Sequence, residues 1–149
     1  MVTTIGLQSN FIDALKELVQ LGYDVVVAYE IAINRLNAPE YKTSLQNFKE
    51  DHEYHVKVFS NYLATNGEIP PAVPRIKSLL KQGKVVLANL LGDRTILRTM
   101  KSNEQDTNKA YERLNNYENI PVEIKNCIKK ALEDERRHAA WLDNALRQG

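Results

Sequence analysis

The chain has 149 residues, 26% charged and 43% hydrophobic, the proportions of an ordinary globular domain long enough to bury a core. Twenty basic against nineteen acidic residues leave a formal net charge of +1, which excludes a strongly basic nucleic-acid surface and predicts no nucleic-acid partner. Met1 to Asn10 lack a basic start followed by an apolar run, no apolar stretch approaches the ~20 residues that span a bilayer, and Cys127 alone cannot form an intramolecular disulfide; the expectation is a cytoplasmic protein with no membrane partner.

Glycine and proline are sparse, at 6 and 5 residues, and clustered, which favours long helices over a sheet with many turns. The first helix begins after Ser9 or Asn10, either of which can cap it. Phe11, Leu15, Leu18, Val19, Gly22, Val25, Val26, Tyr29, Ile33 and Leu36 recur at three- and four-residue steps and make one apolar face. Asn37-Ala38-Pro39 interrupts it, and Pro39 suits the first turn of a second helix running to about Thr65. The inward stripe of that helix reads Tyr41, Leu45, Phe48, His52, His55, Phe59, Tyr62, with Gly67 a natural left-handed terminator.

Pro70, Pro71 and Pro74 keep residues 67–74 out of a helix interior and mark a crossover, completed by a short extra helix over Ile76 to Leu91. A third long helix spans about Asp93 to Asn115, with Leu97, Met100, Glu104, Thr107, Tyr111 and Leu114 inward. A fourth spans about Val122 to Arg147, with Ile124, Ile128, Ala131, Leu132, Glu135, His138, Ala139, Leu142 and Leu146 inward. Helix, helix, long crossover, helix, helix is the single-crossover connectivity of an all-α, antiparallel four-helix bundle, here one domain over residues 1–149.

The chain's three histidines, His52, His55 and His138, all fall on inward stripes. Glu135 and His138 form a Glu-x-x-His step, the inward spacing used by carboxylate-bridged metal sites in bundles. Antiparallel helices share depth at equal distances from their turn, so a loop centred near Asn119 puts Glu104 opposite Glu135. Two buried carboxylates at one level repel unless a cation or proton lies between them. Arg136 and Arg137 point outward or to the flank, as do the charges at Lys129-Lys130 and Glu133-Asp134, read as solvated surface. The same counting about Ala38 puts His52 and His55 opposite Gly22 to Val25, where the first helix offers no inward carboxylate; Asp24 falls on its outer face. Tyr29, Tyr62, Tyr111 and Met100 read as packing, Trp141 as a flank residue and Cys127 as packing at a stripe edge. No nucleophile elbow, phosphate loop or dinucleotide fingerprint occurs.

The segment Ala131-Leu132-Glu133-Asp134-Glu135-Arg136-Arg137-His138-Ala139-Ala140-Trp141-Leu142 resembles the last helix of bacterioferritins and rubrerythrins, and Phe48-Lys49-Glu50-Asp51-His52-Glu53-Tyr54-His55 resembles their second. Gly92-Asp93 through Asn103-Glu104-Gln105-Asp106 to Ala110-Tyr111-Glu112 is similar to an uncharacterised branch of that ferritin-like superfamily. The resemblance implies a ferritin-like topology and a di-iron ligand set of two glutamates and two Glu-x-x-His pairs. Glu135, His138, Glu104 and His55 match it; His52 replaces the second-helix Glu, and the first-helix Glu falls at Gly22 or Val26. The implied set is incomplete.

The resulting expectation is a metal ion held by His52, His55, Glu104, Glu135 and His138. Imidazole with carboxylate suits Fe, Zn or Mn rather than Mg or Ca, and iron would make oxygen or peroxide the reactant by analogy of fold. The alternative is a metal-free, non-catalytic stress-associated or interaction bundle whose cluster is a polar network. A homodimer through helical faces is a further expectation.

Overall fold

Four amphipathic segments become four helices in the computed structural model, which describes residues 3–7, 10–74 and 91–148. They are α1 (Phe11–Arg35), α2 (Pro39–Thr65), α3 (Asp93–Leu114) and α4 (Val122–Gln148), and no strand occurs among the described residues. The short helix expected over Ile76 to Leu91 lies outside them, apart from Leu91, which is exposed and not helical. No described helix is long and apolar enough to cross a membrane.

Local chemistry sets the helix ends. Asn10 Oδ1 accepts the Ile12 N–H at 2.8 Å, satisfying one of the amides that a helix start leaves without an intrahelical partner. Pro39 sits at the start of α2, where a missing N–H costs nothing. Gly67 ends that helix at φ 77°, and the Glu68 N–H closes back on the Leu63 carbonyl at 2.9 Å.

Two long-range contacts establish the topology. The Asp93 carboxylate accepts the Asn37 and Ala38 N–H groups at 2.8 and 2.9 Å, so α3 starts beside the α1–α2 turn. At the other end of α3, Arg113 donates to the Thr3 and Ile5 carbonyls at 2.7 and 3.1 Å, beside the start of α1. The end of α2 and the start of α3 therefore lie at opposite ends of the bundle. α1 packs on α2 and α3, and α4 on α3 and α2, each neighbouring pair antiparallel. This all-α bundle has the expected single crossover and is compatible with a ferritin-like arrangement.

The apolar core is divided. One cluster includes Leu15, Leu18, Phe59, Leu63, Leu114 and Ile128; the other includes Tyr29, Leu45, Phe48, Leu97, Met100 and Leu142. Full burial of each such side chain stabilises the fold by about 1.5–3 kcal/mol. Between them, in the stripes of α2, α3 and α4, lies a polar layer of His52, His55, Glu104, Thr107, Glu135 and His138, all buried. Such a layer costs stability unless its groups find partners.

Two positions on α1 refine the expectations. A Cβ added to Gly22 would stand 2.5 Å from Val56 Cγ2, so α1 and α2 touch there and leave no room for a glutamate. Asp24, expected on the outer face, is buried: Gln20 Nε2 lies 3.4 Å from its Oδ1 and also donates to the Val73 carbonyl at 3.0 Å. A helical wheel accounts for the bundle interior, whereas the crossover adds a second covering on this flank of α1.

Candidate metal centre

All four helices bring groups to the polar layer. The i, i+3 spacing of His52 and His55 keeps both on the inner face of α2, and the same spacing does so for Glu135 and His138 on α4. Glu104 comes from α3 and Tyr29 from α1. His52 lies between the two carboxylates, its Nε2 3.0 Å from Glu104 Oε1 and its Nδ1 3.4 Å from Glu135 Oε1. His138 Nδ1 stands 3.6 Å from Glu104 Oε1 and 3.7 Å from Glu135 Oε2, ion-pair separations too long for hydrogen bonds. His55 Nδ1 is 3.2 Å from Glu135 Oε1. The Tyr29 hydroxyl donates to Glu104 Oε1 in a short hydrogen bond.

All five sequence-identified residues thus meet at one depth. One nitrogen or oxygen from each of His52, Glu104, Glu135 and His138 can be chosen so that all four lie within 4.8 Å of one another. An ion bonded at 2.0–2.2 Å needs donors no more than about 4.4 Å apart, so sub-ångström closure suffices. His55 stands outside this tightest group, touching it through Glu135.

An outer layer orients two of the imidazoles. Asp51 Oδ2 lies 2.8 Å from His138 Nε2, and Asp134 Oδ2 lies 2.9 Å from His55 Nε2. With each Nε2–H donated outward to an aspartate, each Nδ1 turns its lone pair inward. The arrangement is reciprocal: α2 holds the histidine of α4, and α4 holds a histidine of α2. Arg137 Nη2 then joins the two aspartates, at 2.9 Å from Asp51 and 3.1 Å from Asp134. Asp134 is therefore not plain solvated surface, and Arg137, although half exposed, fastens the outer layer. The signal was present as Asp51-x-x-x-His55 and Asp134-x-x-x-His138, the same step on both helices.

The inner atoms fit a cation. Glu104 Oε2, both carboxylate oxygens of Glu135, and the Nδ1 atoms of His55 and His138 are buried without a hydrogen-bond partner within the protein. The carboxylate oxygens are acceptors, and so is each Nδ1 when its ring is neutral with Nε2–H outward; buried acceptors converging on one another need a proton or a cation. Burial pushes the Glu135 carboxyl up, and the charge of Glu104 pushes it further. Burial also raises Glu104, but His52 and His138 overcome it and hold Glu104 well below the usual carboxylate range. Burial opposes charge on His138, yet Glu104 and Glu135 outweigh it and lift the imidazole to about 10. His55 is lowered to about 4 by burial, reinforced by His52 and His138 and resisted by Asp134.

Aromatic rings wall the layer. Phe48 stacks on His138 at 4.3 Å between ring centroids, and Tyr111 packs against His55 at 5.7 Å. Trp141 sits behind Phe48 at 5.5 Å, half-buried as its flank position implied. Cys127, expected to pack at a stripe edge, is exposed because α4 turns that side outward.

Fold and site together define a four-helix bundle carrying a buried histidine–carboxylate cluster. A family model described as a domain of unknown function, DUF2383, matches residues 10–118, and the chain belongs to that family. The match covers α1 to α3 with His52, His55 and Glu104, and ends before α4, so Glu135 and His138 lie beyond it. No curated protein and no solved structure matches the chain.

Proposed function

We propose that this protein is a metal-binding bundle that holds one transition-metal ion among His52, Glu104, Glu135 and His138, with His55 as an additional donor on the Glu135 side. The observation that carries this reading is the convergence of buried, partnerless acceptor atoms at one depth, backed by aspartates that turn imidazole lone pairs inward. Metal-binding histidines characteristically give their second N–H to a carboxylate in this way. Two or three imidazoles with two carboxylates favour Fe, Zn or Mn. The single crossover and the retained Glu104, Glu135 and His138 support kinship with ferritin-like bundles. With iron bound, oxygen or peroxide is the reactant class that kinship suggests, on analogy of fold alone.

The residues have separable tasks. Glu104 and Glu135 supply negative charge, His138 and His52 supply nitrogen, Tyr29 holds one Glu104 oxygen, and Asp51 and Asp134 fix ring orientation. The bound ion would supply Lewis acidity or redox capacity.

A second reading has its own support. A proton on His138 and another on Glu135 would balance the charge on Glu104, leaving a neutral polar network with no metal. Metal analysis of untagged protein decides between them. The metal reading expects near-stoichiometric Fe, Zn or Mn, lost in Glu135→Ala/His138→Ala. Protein that is metal-free and also takes up none of these added ions supports the network and ends the metal reading.

A further inference from the structure

A crevice between α2 and α4 reaches His55, at the edge of the buried cluster. Its volume is about 50 Å³, and its wall includes Tyr54, His55, Val58, Cys127, Lys130 and Asp134. That is room for a few waters or a partly dehydrated ion, far below the several hundred Å³ of an organic-ligand pocket. Broader open grooves occur elsewhere, at Tyr23, Lys57 and Asn61 and at Tyr41, Trp141 and Asn144, and neither is lined by any of the five cluster residues.

Exposure falls steadily along the crevice wall. Tyr54 is 60% exposed, the Asp134 side chain 23%, and His55 only 4%. Cys127 and Lys130 are exposed. His55 spans the last step, with Nε2 2.9 Å from Asp134 Oδ2 and Nδ1 3.2 Å from Glu135 Oε1. One ring therefore touches the solvent-side carboxylate with one nitrogen and the interior carboxylate with the other. The buried Nδ1, with no hydrogen-bond partner, is a donor available to an ion moving inward. α2 and α4 also make the lightest contact of the neighbouring helix pairs, so this seam opens with the least loss of packing.

We propose that this crevice is the route by which a small divalent cation reaches the buried centre, and that Asp134 and His55 form a transfer position on that route, outside the four-donor group. The proposal rests on the metal reading above. It assigns His55 a task distinct from His52 and His138: it passes the ion to Glu135. It also defines the admitted species by size, as a bare or partly hydrated ion. Lys130 at the mouth opposes a cation and sets the rate at low ionic strength.

Cys127 offers a test that needs no core substitution, because it is the only cysteine and lies on the crevice wall. The metal-free protein is alkylated there with a bulky maleimide. Cobalt(II) uptake is then followed by stopped-flow absorbance, and its final stoichiometry is measured by equilibrium titration. Alkylation is expected to slow uptake at least tenfold with the stoichiometry unchanged, while maleimide-treated Cys127→Ser loads at the untreated rate. Lys130→Glu, an exposed change, is expected to speed uptake two- to fivefold at low salt. Equal uptake rates before and after alkylation, with cobalt bound in both, overturn the route and leave the metal reading standing. No cobalt bound at equilibrium in untreated protein overturns both.

Discussion

The two histidine-bearing segments, Asp51 to His55 on α2 and Asp134 to His138 on α4, share one pattern and differ at one inner position. Each carries an outward aspartate and, four residues on, an inward histidine. Between them α4 carries Glu135 where α2 carries His52. The shared part builds the reciprocal brace, in which each aspartate holds the other helix's ring. The differing part sets the charge. Glu135 gives the α4 segment a carboxylate, while His52 lets the α2 segment sit between two carboxylates without adding a third. Bracing and charge are therefore separable properties of such a segment.

Breaking the anionic side is expected to have the largest effect. Glu135→Ala/His138→Ala removes half of the four-donor group and should lower metal affinity at least a thousandfold by competition titration. His55→Ala, outside the group, should cost tenfold or less; a larger loss would promote His55 to the group and demote His52.

His52→Glu would make the two segments alike. It would also bury a third carboxylate, and unpaired buried charge costs about 3–5 kcal/mol. The metal-free variant should therefore melt well below the parent, with added Zn or Mn recovering most of the difference. A melting temperature equal to the parent's without metal would show that the layer is wetter than its burial implies.

Acid and base should act on the two braces in opposite senses. His55 titrates at about 4 when folded and at about 6.5 when unfolded, so the unfolded chain binds the extra proton and stability is lost as pH falls from 6.5 through 4. His138 titrates at about 10 when folded, so its contribution is complete below 6.5 and is lost as pH rises through 10. Thermal melts of metal-free protein should therefore lose the His55 contribution as pH falls below 6.5 and the His138 contribution as pH rises toward 10, each at about 1.4 kcal/mol per pKa unit. His55→Ala should flatten the acid limb only.

The braces come next in size. Asp51→Asn should weaken metal binding about 10- to 100-fold, the usual consequence of losing a carboxylate behind a metal-binding histidine. Asp134→Asn should weaken it less, because its ring stands outside the four-donor group. Arg137→Ala should change melting stability by under about 1 kcal/mol, since it is half exposed and its ion pairs are screened. Equal losses for the two aspartate variants would show that both rings ligate.

Much of the site was legible because helical periodicity is a strong signal. His52, His55, Glu104, Glu135 and His138 all occupy positions where an apolar residue would continue the stripe, and each is buried. Counting outward from the turn near Asn119 placed Glu104 level with Glu135, since equal rise per residue makes antiparallel helices keep depth. Tyr29 also lay on its stripe, but its hydrogen bond to Glu104 joins residues 75 positions apart and leaves no local trace. Asp51 and Asp134 escaped because they flank their stripes, where a helical wheel cannot tell a solvated carboxylate from one that reaches across a helix–helix seam. The ranking of His52 over His55 escaped for a related reason: both lie inward, and side-chain reach decides which nitrogen arrives between the carboxylates.

The residue pattern by itself determined the four helices, their ends at Pro39, Gly67 and Asp93, the long crossover and the inner polar layer, because those depend on backbone capping and on a periodicity of 3.6. Only the folded molecule decided which helix faces which, that Gly22 leaves no room for a donor, that each aspartate holds the other helix's histidine, and that a crevice opens onto His55. Those depend on distances between segments far apart in the chain, which helical periodicity does not encode.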